Sequence, residues 1–137
     1  MSLKYQFQVD VQTRHVPEPS DAASGAYSFA YTITVTNTGT VAAQLIARHW
    51  TIVDENGHTE EVRGLGVVGH QPLLRPGQSF QYTSGCRLRT ARGTMRGSYF
   101  CVAEDGERFD CPVPEFVLQA GAADMPPPDA PAPRVLH

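Results

Sequence analysis

The sequence predicts an all-β protein, an antiparallel sandwich of two sheets with about seven strands. Apolar and polar residues alternate with a period of two along most of residues 1–120. Turn-forming residues interrupt this alternation roughly every ten residues, and no window shows the 3.6-residue period of a long amphipathic helix. Short strands separated by frequent turns are typical of immunoglobulin-like sandwiches.

The first two strands are indicated by alternation on either side of a loop. Residues 5–11 alternate apolar and polar side chains, which predicts a strand with one buried and one solvated face. Residues 17–25 are rich in turn-forming residues and predict a loop. The alternation returns over 27–35 and ends at the turn sequence NTGT, 37–40.

The middle of the chain predicts a hairpin, a loop and a short strand. Trp50 lies in the third strand and is expected to fill the centre of the core. Asn56-Gly57 predicts the hairpin loop to the fourth strand, because these residues readily adopt positive φ. The prolines in 72–76 predict a loop, and 79–85 a short strand. The other expected core residues are Phe80, Tyr82 and Tyr99.

The last third predicts one clear hairpin. Residues 86–93 are expected to form a polar connection, and Asp105-Gly106 a two-residue turn between long strands. Pro112 and Pro114 are expected to break the pairing of the last strand, which resumes over 116–118 at a sheet edge.

Composition limits the classes of function. A chain of 137 residues suits one domain, which we place at 1–120, followed by a flexible proline-rich tail at 121–137. The net charge of −3 disfavours binding to nucleic acid or to a membrane surface. The odd number of cysteines, with no C-x-x-C spacing, favours a reducing compartment. Without an apolar leader or an apolar run long enough to span a membrane, a cytoplasmic protein is expected.

The stretch GLGVVG, residues 64–69, has the spacing of a dinucleotide-binding motif. Such a motif binds pyrophosphate only where it follows a strand and opens a helix. No helical pattern follows Gly69 here, so we expect the segment to be extended, with its amides bonded to neighbouring strands. Gly64, Gly66 and Gly69 would then provide a bulge, a bend, or room for a side chain such as that of Trp50.

A basic cluster follows the short strand, at Arg87, Arg89, Arg92 and Arg96. It admits two interpretations: an anion site formed by guanidinium groups, or a solvated loop. The histidines have no metal-ligand spacing, and no set of nucleophile, acid and base is recognisable. We therefore expect no metal, no cofactor and no enzymatic activity.

Several sequence motifs of the chain resemble those of the ApaG family. They include an Arg-x-Trp strand, an Asp-x-x-Gly turn and Glu-Val-x-Gly-x-Gly-Val-Val-Gly-x-Gln-Pro. The motifs that follow along the chain are Leu-x-Pro-Gly, Phe-x-Tyr-x-Ser-Gly and Gly-x-Met-x-Gly-x-Tyr. The residues that carry them are Arg48, Trp50, Asp54, Gly57, Glu61, Val62, Gly64, 66–69, Gln71, Pro72, Leu74, Pro76, Gly77, Phe80, Tyr82, Ser84, Gly85, Gly93, Met95, Gly97 and Tyr99.

The resemblance implies a fibronectin type III-like sandwich that binds protein partners. Family members are linked to cobalt resistance and magnesium efflux, and their genes often neighbour a diadenosine tetraphosphatase. The same domain occurs in F-box proteins and in a protein that interacts with DNA polymerase delta. We therefore expect a protein–protein interaction module with an unidentified partner, as a monomer or a homodimer. The alternative is a phosphate-containing ligand, a pyrophosphate or dinucleoside polyphosphate, at Gly64–Gly69 and the arginines.

Overall fold

The fold is a two-sheet antiparallel sandwich, as the sequence predicts. A computed structural model describes residues 3–18 and 21–120. One sheet has the strand order β1-β2-β6, and the other has the order β4-β3-β7-β8, with β5 also paired to β3. The strands are β1 Phe7–His15, β2 Tyr27–Asn37, β3 Ala43–Asp54, β4 Thr59–Leu65, β5 Leu73–Leu74, β6 Ser79–Leu88, β7 Arg92–Ala103 and β8 Arg108–Gln119.

The core lies between the sheets and is built by the predicted alternation. In β2, Phe29, Tyr31, Ile33 and Val35 are all buried, while the residues between them point away from the facing sheet. The aromatic residues expected in the core are placed unevenly. Trp50, Tyr82 and Tyr99 are buried. Phe80 is half-buried and packs against the margin of the core.

Trp50 is central to the core because it lies across Gly97 of the neighbouring strand β7. A Cβ atom at Gly97 would come within 2.6 Å of Trp50 Cε3 and 2.0 Å of the His49 carbonyl oxygen. The indole also meets Tyr99 edge-on at 5.7 Å and reaches Tyr31 of the opposite sheet at 6.0 Å. Gly97 therefore permits the packing that joins the two sheets.

The sandwich is closed along one side and open along the other. Where β1 meets β8, Phe7 packs edge-on against Phe109 at 5.6 Å, and Thr13 donates a hydrogen bond to the Val117 carbonyl. On the opposite side, β4 and β6 are the outer strands of their sheets and form no ladder with each other. The sheet edges on that side border a space between the sheets.

Two predicted connections are more ordered than expected. The predicted loop 17–25 contains a one-turn helix, α1 Asp21–Ser24. The Asp21 carboxylate accepts hydrogen bonds from the Ser28 amide and hydroxyl, both at 3.2 Å. The predicted polar connection 86–93 is wrong, because β6 continues to Leu88 and β7 begins at Arg92. Only three residues lie between these strands, and they pass from one sheet to the other.

The prediction that prolines break the pairing of the last strand is wrong at Pro112 but confirmed at Pro114, where the ladder with β7 is interrupted before it resumes at Phe116. β8 runs without interruption from Arg108 to Gln119, and Pro112 lies opposite Ser98 in the ladder. The irregularity is a register shift between Met95 and Gly97 of β7, which bulges β8 near Pro114. Because β8 is an edge strand, a proline can lack its N–H on the unpaired side without losing a ladder bond.

The expectation of a flat, extended GLGVVG segment is wrong beyond its first two residues. Gly64 and Leu65 end β4, but Gly66 then adopts φ +66° and donates its amide to the Ile46 carbonyl. Residues 67–70 form a tight turn, closed by reciprocal backbone hydrogen bonds between its first and last residues. The amides of Gly66 and Val67 are bonded to the chain, as expected, but in a bend, whereas those of Val68 and Gly69 make no backbone hydrogen bond with the described residues.

The turn itself is of the hairpin type that requires positive φ at both central residues. Val68 has φ +47° and Gly69 has φ +79°. A β-branched residue rarely adopts this conformation, so the sequence gives no indication of the turn. Val68 packs against the core, and Val67 is fully buried. This packing offsets the backbone strain at Val68.

The predicted tail, 121–137, lies outside the described residues, so the domain boundary at residue 120 stays a prediction. Within the described residues, no helix is long and apolar enough to span a membrane.

We predict that Gly66→Ala lowers the free energy of unfolding far more than Gly69→Ala. Both glycines have positive φ, which costs a substituted alanine about 1 kcal/mol. Only at Gly66 does the added Cβ meet backbone, 2.4 Å from the His70 carbonyl oxygen, whereas Gly69 has open space. Urea unfolding should show a loss of about 3 kcal/mol for Gly66→Ala. Equal losses would contradict the assigned packing.

Candidate functional site

The open side of the sandwich contains two adjoining cavities, which together we call the inter-sheet cleft. Their volumes are about 400 Å³ and about 320 Å³. Strands β2 and β6 line one wall, and β3 and β4 line the other. The two cavities share Tyr31, Arg48, Trp50 and Ser84. The cleft is therefore lined by aromatic rings, a guanidinium group and hydroxyl groups, and it is open between two strand edges.

Arg48 is held in the cleft by Gly64, its partner in the β3–β4 ladder. A Cβ atom at Gly64 would lie 2.8–2.9 Å from three atoms of the Arg48 guanidinium, so this glycine lets the group lie against the strand. Arg48 Nη1 donates hydrogen bonds to the Leu65 and Gly66 carbonyl oxygens, both at 3.0 Å. The first glycine of the motif therefore provides room for a side chain, which is that of Arg48.

The hydroxyl groups of the cleft are partly buried. Burial raises the pKa of Tyr31 above its usual range, against the effect of a hydrogen bond from Ser84. Deeper in, the Tyr82 and Tyr99 hydroxyls are hydrogen-bonded across the two sheets, and burial raises the pKa of both. All three tyrosines are therefore neutral at physiological pH and offer hydroxyl dipoles rather than charges.

The far end of the cleft carries charged groups that are already engaged or exposed. Arg87 donates hydrogen bonds to Asp21 Oδ1 from Nη2 at 2.9 Å and from Nε at 3.2 Å. The guanidinium beside it holds the pKa of the Asp21 carboxyl below its usual range. Glu60 lies at the solvent-exposed edge of β4, and Cys86 faces it across the cleft.

The structure separates the glycine segment from the arginine cluster. The turn at 67–70 closes the near end of the cleft, beside Ile46. Thr90, in the middle of the arginine cluster, bonds to the Glu55 amide just beyond the opposite end of β3. The two places are roughly 30 Å apart along β3. Arg89, Arg92 and Arg96 are all exposed. Of the predicted arginines, Arg87 alone lines the cleft, at its far end.

A second concave surface lies on the outer face of the larger sheet, with a volume of about 470 Å³. A row of apolar side chains crosses it, from exposed Leu65 over Ala47 to Phe100. His49 borders this row and pairs with Glu61 at 3.3 Å. This surface is shallow, and the polar residues at its margin, among them Arg63, Ser98 and Asp110, come from three other strands.

The cysteines and histidines form no joint site in the described residues. No group of three histidine, cysteine or acidic side chains there is placed to hold a metal ion. All three cysteines are free thiols. Burial raises the pKa of Cys86 and Cys101 to about 12 and that of Cys111 to about 11.

Sequence reasoning missed Arg48 as a site residue. Its position is two residues before Trp50 on the inward face of a strand, where an arginine is unusual. The combination of an inward arginine with a glycine in the next strand is a signal that could have indicated it. The sequence does not show which strand pairs with β3 at Arg48, so this combination can be recognised only in the folded structure.

The comparison with known families gives a specific result. Residues 17–103 match the family model described as the ApaG domain. The chain is 65% identical to Protein ApaG of Acidovorax sp. (strain JS42) over 98% of each chain. It is 59% identical to Protein ApaG of Ralstonia nicotianae, covering 84% of this chain and 93% of the relative.

Solved structures agree with the sequence relatives. The crystal structure of a protein from Bordetella pertussis, described as the putative ApaA protein, superposes with a TM-score of 0.85 at 52% identity. The match covers 89% of this chain and 99% of that protein. The sandwich therefore belongs to a fold that has been observed by crystallography.

We predict that stability falls as the pH rises above about 9. The buried thiols have raised pKa values in the folded state, so the unfolded chain loses these protons first and is favoured as the pH rises. Each thiol contributes up to about 1.4 kcal/mol per pH unit between its unfolded and folded pKa. The urea midpoint should be lower at pH 10.5 than at pH 8, and Cys86→Ala should make the decline shallower. An unchanged midpoint would contradict the burial of these groups.

Proposed function

The chain belongs to the ApaG domain family, and we propose that it is a non-enzymatic module that binds an extended segment of a partner protein in the inter-sheet cleft. One observation carries this proposal: the outer strands β4 and β6 both border the cleft, and on that side neither pairs with another strand of the described residues. An unpaired strand edge can add a further strand through main-chain hydrogen bonds. The cavities behind the edges can then receive its side chains.

The size and lining of the cleft support a peptide ligand. Along an added strand, every second side chain would point between the sheets, since side chains alternate in a strand. One cavity is bordered by Val67, Val68 and Tyr82, and the other by Ile52 and Val62. Each cavity can therefore accept one apolar side chain, and the two side chains would belong to residues of the segment that are at least two positions apart.

The non-enzymatic part of the proposal is supported by the chemistry of the cleft. Cys86 has a pKa raised to about 12 and stays protonated, which makes it a poor nucleophile. Ser84 is hydrogen-bonded to Tyr31, itself a hydroxyl that burial keeps neutral and that is therefore a poor general base. The residues of the cleft thus support binding better than catalysis.

We also propose a cytoplasmic location, supported by the three free thiols. For the link of the family to cobalt and magnesium, we propose that the chain acts through its protein partner. The placement of two histidines supports this indirect role, since His49 pairs with Glu61 and His70 packs against Phe80.

A second candidate is a site for pyrophosphate or a dinucleoside polyphosphate. It is favoured by the Arg48 guanidinium, which lies beside the glycine segment and donates to its carbonyls. It is disfavoured by the amides of Gly66, Val67 and His70, which are bonded to carbonyl groups of the chain. A phosphate site of this type needs such amides free to converge on the anion.

We predict that filling the cleft abolishes partner binding. Ser84→Trp and Val62→Trp each place a large side chain between the sheets, from β6 and β4 respectively. Gln81→Trp is the matched control, because Gln81 is exposed on the outer face of β6. In affinity capture from the native cytoplasm, a protein retained by the wild type and the control should be lost by both cleft variants.

The retained protein is then purified and mixed with the wild type for hydrogen exchange. Slower exchange at the amides of β4 or β6 would support strand addition. Retention of the same protein by the cleft variants, with folding verified by circular dichroism, would place the binding surface elsewhere.

We predict no saturable binding of diadenosine tetraphosphate at micromolar concentration, with or without magnesium. The measurement is calorimetric titration of the full chain. Saturable binding that is lost in Arg87→Ala or Gly66→Ala would instead favour the phosphate ligand.

A further inference from the structure

We propose that Arg48 makes the inter-sheet cleft a carboxylate-binding site, so that the bound segment presents an Asp or Glu side chain to it. This inference rests on the proposed function and names the chemistry of the partner. It commits to an acidic side chain within an extended segment, because the cleft lies open along two strand edges through which a chain can run.

The guanidinium is oriented before any ligand arrives. It lies flat against Gly64, and Nη1 is fixed by the Leu65 and Gly66 carbonyls at 3.0 Å. Nε and Nη2 make no hydrogen bond with the described residues. A planar group already held in one orientation loses little freedom on binding a carboxylate through two parallel hydrogen bonds. A lysine could not offer the same paired geometry.

The charge of Arg48 is not balanced within the described part of the chain. Arg48 belongs neither to the ion pairs Lys4–Asp105 and Arg87–Asp21 nor to the hydrogen-bonded pair His49–Glu61. Arg87 and Arg48 both line the cleft, but only Arg87 has a carboxylate partner. A half-buried cation without a partner gains more from an incoming anion than an exposed one, since water screens it less.

The surroundings favour a carboxylate over a polyphosphate. The amides of Gly66, Val67 and His70 are bonded to carbonyls, which leaves one guanidinium, the neighbouring hydroxyls and the two central amides of the turn to meet the anion. Glu60 borders the second cavity and would repel further negative charge. A single negative charge with two oxygen atoms matches this set of donors.

The neighbouring cavity defines the rest of the partner segment. Next to Arg48, the wall is formed by Val67, Val68 and Tyr82. Because side chains two residues apart share one face of a strand, the acidic residue should have an apolar residue two positions away. The expected segment is thus extended, with an acidic and an apolar side chain on the same face.

The test is an NMR titration of the full-length chain with 3-phenylpropionate, its neutral amide 3-phenylpropanamide, and inorganic pyrophosphate. The first probe carries a carboxylate on an apolar body, and the second differs only in its charge. The variants are Arg48→Gln and Arg48→Lys. Arg63→Gln is the matched control, since Arg63 is exposed in β4 beside Gly64 and its loss changes the net charge equally.

We expect saturable shifts at the Trp50 indole and the Ser84 amide with 3-phenylpropionate. The amide should bind about tenfold more weakly. Arg48→Gln should remove the preference for the carboxylate, Arg48→Lys should weaken it, and Arg63→Gln should leave it unchanged. Thermal melts identify any variant that fails to fold, and the comparison of the two probes on the wild type stands without the variants.

Equal binding of the two probes, or no saturable shift by either, would overturn the carboxylate site. Tighter binding of pyrophosphate would also overturn it, in favour of a phosphate ligand. None of these results would affect the capture experiment with Ser84→Trp, which tests peptide binding in the cleft by itself.

Discussion

The packing of Trp50 across Gly97 is the constraint on which the rest of the structure depends. The indole needs a neighbouring strand without a side chain at that position, and a Cβ there would also collide with the His49 carbonyl. Once seated, the ring meets Tyr99 in its own sheet and Tyr31 in the opposite one. It therefore joins the two sheets and forms the floor of the inter-sheet cleft.

The glycines of the GLGVVG segment serve the same cleft. Gly64 leaves room for the Arg48 guanidinium, while Gly66 and Gly69 provide the positive φ that turns the chain back over the cavity. Nucleotide-binding proteins use this spacing because a phosphate must approach the backbone closely. Here the approaching groups are an arginine side chain and the His70 carbonyl, so the same pattern arises from a different steric requirement.

Two arginines of the cleft illustrate how fold context decides the role of a charge. Arg87 belongs to a conspicuous basic cluster, yet it binds the Asp21 carboxylate and fixes a one-turn helix against β6. Arg48 is isolated in the sequence, yet it lies half-buried between aromatic rings without a carboxylate partner among the described residues. Clustering of arginines in the sequence is therefore a weaker guide to the role of each one than the direction in which its side chain points in the fold.

The sequence by itself determined the sheet faces and most turns, because alternation, Asn-Gly and Asp-Gly are local signals. It also determined the family, through its motifs. It did not reveal the turn at Val68, whose positive φ is imposed by packing against the core, nor the continuity of β8 through Pro112, which depends on its place at an edge. Only the tertiary structure decided that Arg48 lies over Gly64 and that β4 and β6 border one cleft. These relations join residues distant in the chain, and strand pairing alone brings them together.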